Sequence, residues 1–114
     1  MHKIINNLVL IEKNLKEKLN NNNIPIIIAV SKTFPMSEIL PLINYGHEHF
    51  GENKVQEALE KWITIKDDFN HIKLHMIGGL QTNKVKYVIK LFDYIHSLDR
   101  LRLAEKISIE QKKI

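Results

Sequence analysis

Four short apolar segments alternate with helical patterns along this chain, and the alternation restricts its fold more than any other feature. The strand-like segments are residues 25–32, 47–50, 73–77 and 94–97. Helical patterns cover residues 1–20, the stretch from Ser37 to Gly46, residues 53–66, the stretch from Thr82 onward, and residues from about 99 to 114. Strands that alternate with helices at this spacing lie parallel and are joined by right-handed crossovers. The pattern predicts an α/β fold of one helix followed by four strand–helix units.

The length of the chain leaves two architectures open. Its 114 residues suffice for one compact domain. A complete (β/α)₈ barrel needs about 250 residues. The four units therefore predict either a small open parallel sheet or half of a TIM-type (β/α)₈ barrel with an added N-terminal helix.

Composition excludes several classes of function. The chain has no cysteine, which excludes disulfides, thiolate metal sites and a cysteine nucleophile and fits a reducing compartment. Its net charge of +4 comes mostly from lysines interspersed with glutamates, which indicates a solvated basic surface and not a nucleic-acid site. The N-terminus lacks a signal-peptide pattern, and no segment has the apolar length to span a bilayer. We expect a cytoplasmic protein without a nucleic-acid or membrane partner.

Lys32 ends the first strand-like segment, just before a Thr-Phe-Pro turn. Ligands of α/β proteins bind at the carboxyl ends of their strands. Next to apolar walls, a lysine there can lose its charge by desolvation and attack an aldehyde as an amine nucleophile. Most lysines are solvated surface residues, so the position alone leaves both interpretations open.

The ends of the second and third strands carry further polar candidates. Asn53 follows a predicted turn at Gly51, and its amide is placed to reach a site shared with Lys32. The loop of residues 78–84 runs into a helix N-terminus, where free backbone N–H groups can hold an anion. Its glycine spacing matches neither a Walker loop nor a dinucleotide fingerprint. For Gly51 and Asn53, the competing interpretation is structural: a glycine that only forms a turn and an asparagine that only starts a helix.

Six histidines raise the question of a metal. His47 and His49 are predicted to share one face of the second strand, but no Asp or Cys completes a ligand set, so we expect no metal site. His75 and His96 lie toward the carboxyl halves of the third and fourth strands. Each is either a polar residue at the mouth of a site or a hydrogen-bonded core histidine.

Four segments, taken together, closely resemble the pyridoxal phosphate homeostasis protein family. They are residues 29–32 (AVSK), 50–57 (FGENKVQE), 75–84 (HMIGGLQTNK) and 95–100 (IHSLDR). They agree with the family's segments in order and spacing, and the resemblance runs from about residue 4 to 114. It implies a fold like the N-terminal barrel of alanine racemase.

The resemblance also implies a function and a set of site residues. Family members bind pyridoxal 5′-phosphate as a Schiff base and buffer or deliver it without catalytic turnover, so the resemblance implies no enzyme. Lys32 matches the Schiff-base lysine, and Asn53 matches an asparagine expected near the cofactor ring. His75 and Ser97 match family positions at the ends of the third and fourth strands, which makes them further cofactor-binding candidates.

The main departure from the family is length. The family's later segments, a Gly-Met-Ser motif and a Gly-Ser-Thr…Arg-Ile-Gly motif that hold the phosphate and face the pyridine nitrogen, have no counterpart in residues 1–114. We therefore expect a single domain equivalent to the N-terminal half of the barrel. Two functions stay open: a cofactor carrier that uses Lys32, or a half barrel that assembles with a second copy or a complementary C-terminal half and binds no cofactor alone. A racemase or decarboxylase half is disfavoured because its distinctive residues are missing.

Overall fold

The computed structural model describes residues 3–19, 25–96, 98 and 100–113. Helix α1 (Lys3–Leu19) precedes four strand–helix units. These units are β1 (Ala29–Val30) with α2 (Met36–Tyr45), β2 (His49–Glu52) with α3 (Val55–Asp68), β3 (Lys73–Met76) with a 3₁₀ turn (Thr82–Lys84) and α4 (Val85–Leu91), and β4 (Tyr94–Ile95) with α5 (Leu101–Gln111). The predicted α/β class, with a helix before the first strand, is confirmed.

The four strands form one parallel sheet in the order β1-β2-β3-β4. A single register row crosses it, in which Val30 pairs with Gly51, Gly51 with His75, and His75 with Tyr94. Each crossover therefore joins neighbouring strands. Within the described residues, β1 and β4 are edge strands that pair on one side only.

The two faces of the sheet have different surroundings because side chains alternate along each strand. Phe50, Leu74 and Met76 are fully buried on what we call the helix-covered face, where the ring of Trp62 on α3 packs 5.2 Å from that of Phe50. The opposite face, called the open face, carries the register row, and its Val30 and Tyr94 are 48% and 46% exposed. The largest core side chains are Ile43, Phe50, Trp62, Leu74, Met76, Val85, Val88 and Leu103.

All four strands differ from their predicted limits, although β3 ends only one residue early, at Met76, and β4 ends at Ile95. β1 contains only Ala29–Val30 of the predicted residues 25–32, because an edge strand is limited to the residues that its one neighbour pairs. β2 begins at His49 and not at His47, so the predicted pairing of these two histidines on one strand face is wrong. Gly51 lies inside β2 and not in a turn. A Cβ there would lie 3.0 Å from Ile28 and 3.1 Å from Ile77, so glycine serves close packing.

The helices follow their predicted positions more closely. Gly46 ends α2 in the left-handed region at φ 105°, as predicted. Ser37 lies in the first turn of α2, whereas Thr82 begins the 3₁₀ turn ahead of α4 and does not cap α4 itself. In the part of the chain that the structure covers, every helix is too short or too polar to cross a membrane.

Candidate functional site

Lys32 and Asn53 lie at the same carboxyl edge of the sheet. Each follows a strand, Lys32 two residues after Val30 and Asn53 two residues after Gly51, and these two strand residues are register partners. The Ser31 N–H continues the ladder by donating to the Gly51 carbonyl at 2.9 Å. The structure thus brings the two predicted site residues to neighbouring positions of one edge.

The side chain of Lys32 is exposed, and that of Asn53 is partly buried. The burial by apolar walls that we expected for Lys32 is therefore not observed. The Lys32 amine instead stands accessible to solvent at the edge of the sheet. Its accessibility suits reaction with a ligand that arrives from solution.

His75 lies deeper along its strand than these two residues. It pairs with Gly51, one alternation step or about 6.6 Å before the level of Asn53. The ring is only 4% exposed and stacks on Tyr94 at 4.4 Å between centroids. His75 therefore belongs to the open face below the edge and not to the edge itself.

Three histidines, His49 on β2, His75 on β3 and His96 just after β4, form a hydrogen-bonded row with His75 at its centre. The His49 Nδ1 lies 2.9 Å from the His75 Nε2, and the His75 Nδ1 lies 2.8 Å from the His96 Nε2. Burial first, and then the charges that His49 and His96 would carry, lower the pKa of His75 to about 4. A neutral ring donates from one nitrogen and accepts at the other, so the row has a direction. Among the residues with described positions, no group of three or more His, Asp or Glu side chains is arranged to hold a metal ion.

Glu52 is a buried polar residue that the sequence analysis missed. Its side chain is fully buried on the helix-covered face. The Oε2 accepts hydrogen bonds from the Ser31 hydroxyl at 2.5 Å and the Trp62 Nε1 at 3.1 Å, and it lies 2.8 Å from the Lys61 ammonium. The available signal was the alternation along β2, which places Glu52 on the same face as Phe50. The carboxylate joins the end of β1 to α3 beneath the candidate site.

The loop after β3 packs closely against the loop after β2. A Cβ at Gly78 would lie 2.3 Å from the Asn53 carbonyl oxygen, so only glycine allows this approach. The Arg100 guanidinium also contacts this loop by donating to the Leu80 carbonyl at 2.6 Å. These contacts explain Gly78 by packing. Ser97, the fourth predicted site residue, lies outside the described residues.

Comparison with known proteins identifies the family. No family model matches the chain. The pyridoxal phosphate homeostasis protein of Haemophilus influenzae is 40% identical over 98 residues, which cover 86% of this chain and 41% of that protein. The protein of the same name from Aquifex aeolicus is 41% identical over 97 residues, or 85% of this chain and 42% of that protein. The chain belongs to the pyridoxal phosphate homeostasis protein family.

Solved structures place the sheet within the fold of this family. The structure of PipY from Synechococcus elongatus with PLP bound has a TM-score of 0.72 and 35% identity, over 88% of this chain and 48% of PipY. The crystal structure of an unknown protein from Bifidobacterium adolescentis has a TM-score of 0.80 and 26% identity, over 96% of this chain and 48% of that protein. The chain thus spans less than half the length of these relatives and matches part of the pyridoxal phosphate homeostasis protein barrel.

Proposed function

We propose that this chain is a carrier of pyridoxal 5′-phosphate in cofactor homeostasis and holds the cofactor as a Schiff base on Lys32. The observation that carries the proposal is the exposed Lys32 amine at the carboxyl edge of β1, beside Asn53. A relative of the same fold was solved with PLP bound, which supports this cofactor class. When bound, the cofactor supplies an aldehyde carbon that reacts reversibly with a primary amine.

The residues of the chain fit the aldehyde side of such a site. Lys32 provides an accessible amine, and the Asn53 amide offers both a donor and an acceptor at the next strand end. His75 would act from below as a neutral ring, since its pKa is lowered to about 4. We propose Ser97 as a fourth contact on the family resemblance alone. None of these groups is assigned to a catalytic step, so the proposal is a carrier and not an enzyme.

A second candidate function is favoured by the open face of the sheet. Both edge strands pair on one side only within the described residues, and Val30 and Tyr94 leave about half of their surface exposed. Unpaired strand edges and apolar faces are places where another chain adds. We propose as the alternative that the chain is an assembling half barrel that binds the cofactor only together with a partner, either a second copy or a complementary C-terminal half.

Titration with pyridoxal 5′-phosphate tests the first proposal. We expect a saturating visible absorption band in the parent chain, and at least a tenfold weaker apparent affinity, about 1.4 kcal/mol, in Lys32→Ala. Lys90→Ala removes an exposed lysine of α4 and should change nothing. Borohydride reduction followed by peptide mass mapping should place the label on Lys32.

Three results would decide between the two candidate functions. An equally strong band in Lys32→Ala, or a label spread over many lysines, rules out the carrier proposal. A band that appears only above the concentration at which the mass in solution doubles supports the assembling half barrel. A saturating band from a monomer contradicts that alternative.

A further inference from the structure

The turn that contains Lys32 depends on contacts from other elements, because its own strand and its own hydrogen bonds do little to fix it. β1 has only two paired residues, and the turn of residues 31–34 that follows is closed by one bond of its own, from the Phe34 N–H to the Ser31 carbonyl at 3.2 Å. Thr33 adopts a left-handed conformation at φ 67°, which is unfavourable for a β-branched residue. A turn of this kind keeps one conformation only if its surroundings impose it.

Lys61 of α3 holds the peptide group that enters Lys32. Its ammonium donates to the Ser31 carbonyl at 2.7 Å and to the Phe34 carbonyl at 2.9 Å. The third contact is the buried Glu52 carboxylate at 2.8 Å, and the Lys61 side chain is only 12% exposed. These three oxygen atoms satisfy all three N–H donors of the Lys61 ammonium group.

Glu57 holds the peptide group that leaves Lys32. Its Oε2 accepts the Thr33 N–H at 2.7 Å and lies 3.7 Å from the Lys61 ammonium. Glu57 and Lys61 are four residues apart, so they lie on the same side of α3. The two peptide groups that flank Lys32 are therefore each gripped by a charged side chain of one helix.

We propose that Glu57 and Lys61 are positioning residues that fix the backbone of Lys32 and so direct its amine at the carboxyl edge of the sheet. This inference rests on the proposed function, because the orientation of the amine matters only if Lys32 reacts with the cofactor. Neither residue touches the cofactor in the proposal. Small displacements of a reacting group reduce rates severely, by about a hundredfold for 1 Å, so backbone contacts of this kind matter for attachment.

A matched control is available on the same helix. Lys66 also reaches from α3 to a backbone carbonyl and a carboxylate, donating to Leu91 at 2.7 Å and Asp93 at 2.8 Å. Its partners lie near α4 and β4, away from Lys32. Lys66→Met therefore removes the same kind of contact without touching the turn.

The first measurement is amide hydrogen exchange at Thr33, which needs no cofactor. Glu57→Leu should speed exchange of the Thr33 N–H by about tenfold, since it removes the acceptor, whereas Glu57→Gln keeps an acceptor oxygen and should restore most of the protection. Lys61→Met should do the same as Glu57→Leu, and Lys66→Met should leave Thr33 unchanged. Unchanged exchange in Glu57→Leu overturns the inference. This variant alters a partly exposed side chain, so it stays informative if Lys61→Met fails to fold.

The second measurement is the rate at which pyridoxal 5′-phosphate attaches to Lys32. We expect about a tenfold slower rate in Glu57→Leu and Lys61→Met, and less than a twofold change in Lys66→Met. Absence of attachment to Lys32 in the parent chain would refute the proposed function and, with it, this assignment. Attachment at the parent rate in both turn variants, together with faster exchange at Thr33, would overturn the positioning role alone.

Discussion

At the scale of single residues, the buried polar groups do more than the exposed ones to shape the candidate site. Glu52 is fully buried, and its Oε2 gathers Ser31, Lys61 and Trp62 around one atom. Breaking a buried pair of this kind by removing one partner costs about 3–5 kcal/mol, because the other charge is left uncompensated. The exposed Lys32 can be replaced without any such penalty. The lysine of the proposed attachment site and the residues that stabilise its surroundings are thus different residues.

His75 makes stability depend on pH in a defined direction. Its pKa is lowered from the ordinary 6.5 to about 4, so between these values the unfolded chain binds more protons than the folded one. The stabilising contribution is fully present above pH 6.5 and is lost as pH falls toward 4. At about 1.4 kcal/mol per pKa unit, a shift from 6.5 to about 4 corresponds to at most about 3.5 kcal/mol.

Urea denaturation at a series of pH values measures this contribution. His75→Gln should make the decline in stability between pH 6.5 and 4 shallower than in the parent chain, where burial lowers the pKa of His47 as well. His71→Gln, which lies outside the histidine row, is the control and should keep the decline. An unchanged pH dependence in His75→Gln would show that the buried ring is not its source.

At the scale of secondary-structure elements, two adjacent glycines differ in how closely the chain packs around them. A Cβ at Gly78 would lie 2.3 Å from the Asn53 carbonyl oxygen and 2.8 Å from the Asn53 Cβ, whereas a Cβ at Gly79 meets nothing within 4 Å. We expect Gly78→Ala to lower the free energy of unfolding by about 1–3 kcal/mol, because the loops after β2 and β3 must separate. Gly79→Ala should stay within about 0.5 kcal/mol of the parent in the same urea titration. Equal values for the two variants would argue against the close packing of these loops.

The elements also show which parts of the fold a sequence can specify. α1 and α2 were predicted well because helical periodicity and the capping Gly46 are local signals. The start of β2 was predicted two residues early because its position depends on pairing with β3, which local sequence does not encode. The placement of Asn53 beside Lys32 was predictable because carboxyl ends of neighbouring parallel strands share one edge.

The contacts between side chains could not be predicted from the sequence. The histidine row requires the register of three strands at once. The grip of Glu57 and Lys61 on the Lys32 turn requires the docking of α3 against the end of β1. Both depend on how elements pack, so they emerge only in the folded chain.

At the scale of the whole molecule, the sheet leaves one face and both edges available. Among the described residues, β1 and β4 each lack a neighbour on one side. A cavity of about 350 Å³ opens beside β1, between α1 and α2, and is lined in part by Val30 and Phe34. An exposed strand edge beside an apolar surface favours association with another chain. A second copy would bring another four-stranded sheet with the same exposed edges.

We therefore expect the isolated chain to associate with itself. Light scattering should give a mass near twice the 13.4 kDa of one chain, with a return to the single-chain mass on dilution. Val30→Lys places a charge on the open face at the edge strand and should weaken the association by at least about tenfold, since burying an unpaired ammonium costs more than 1.4 kcal/mol. Leu10→Lys changes a residue of α1 that is 56% exposed and should leave the mass unaltered. A single-chain mass for the parent at every concentration would contradict self-association. Equal weakening by both variants would show that the chains do not associate through the open face.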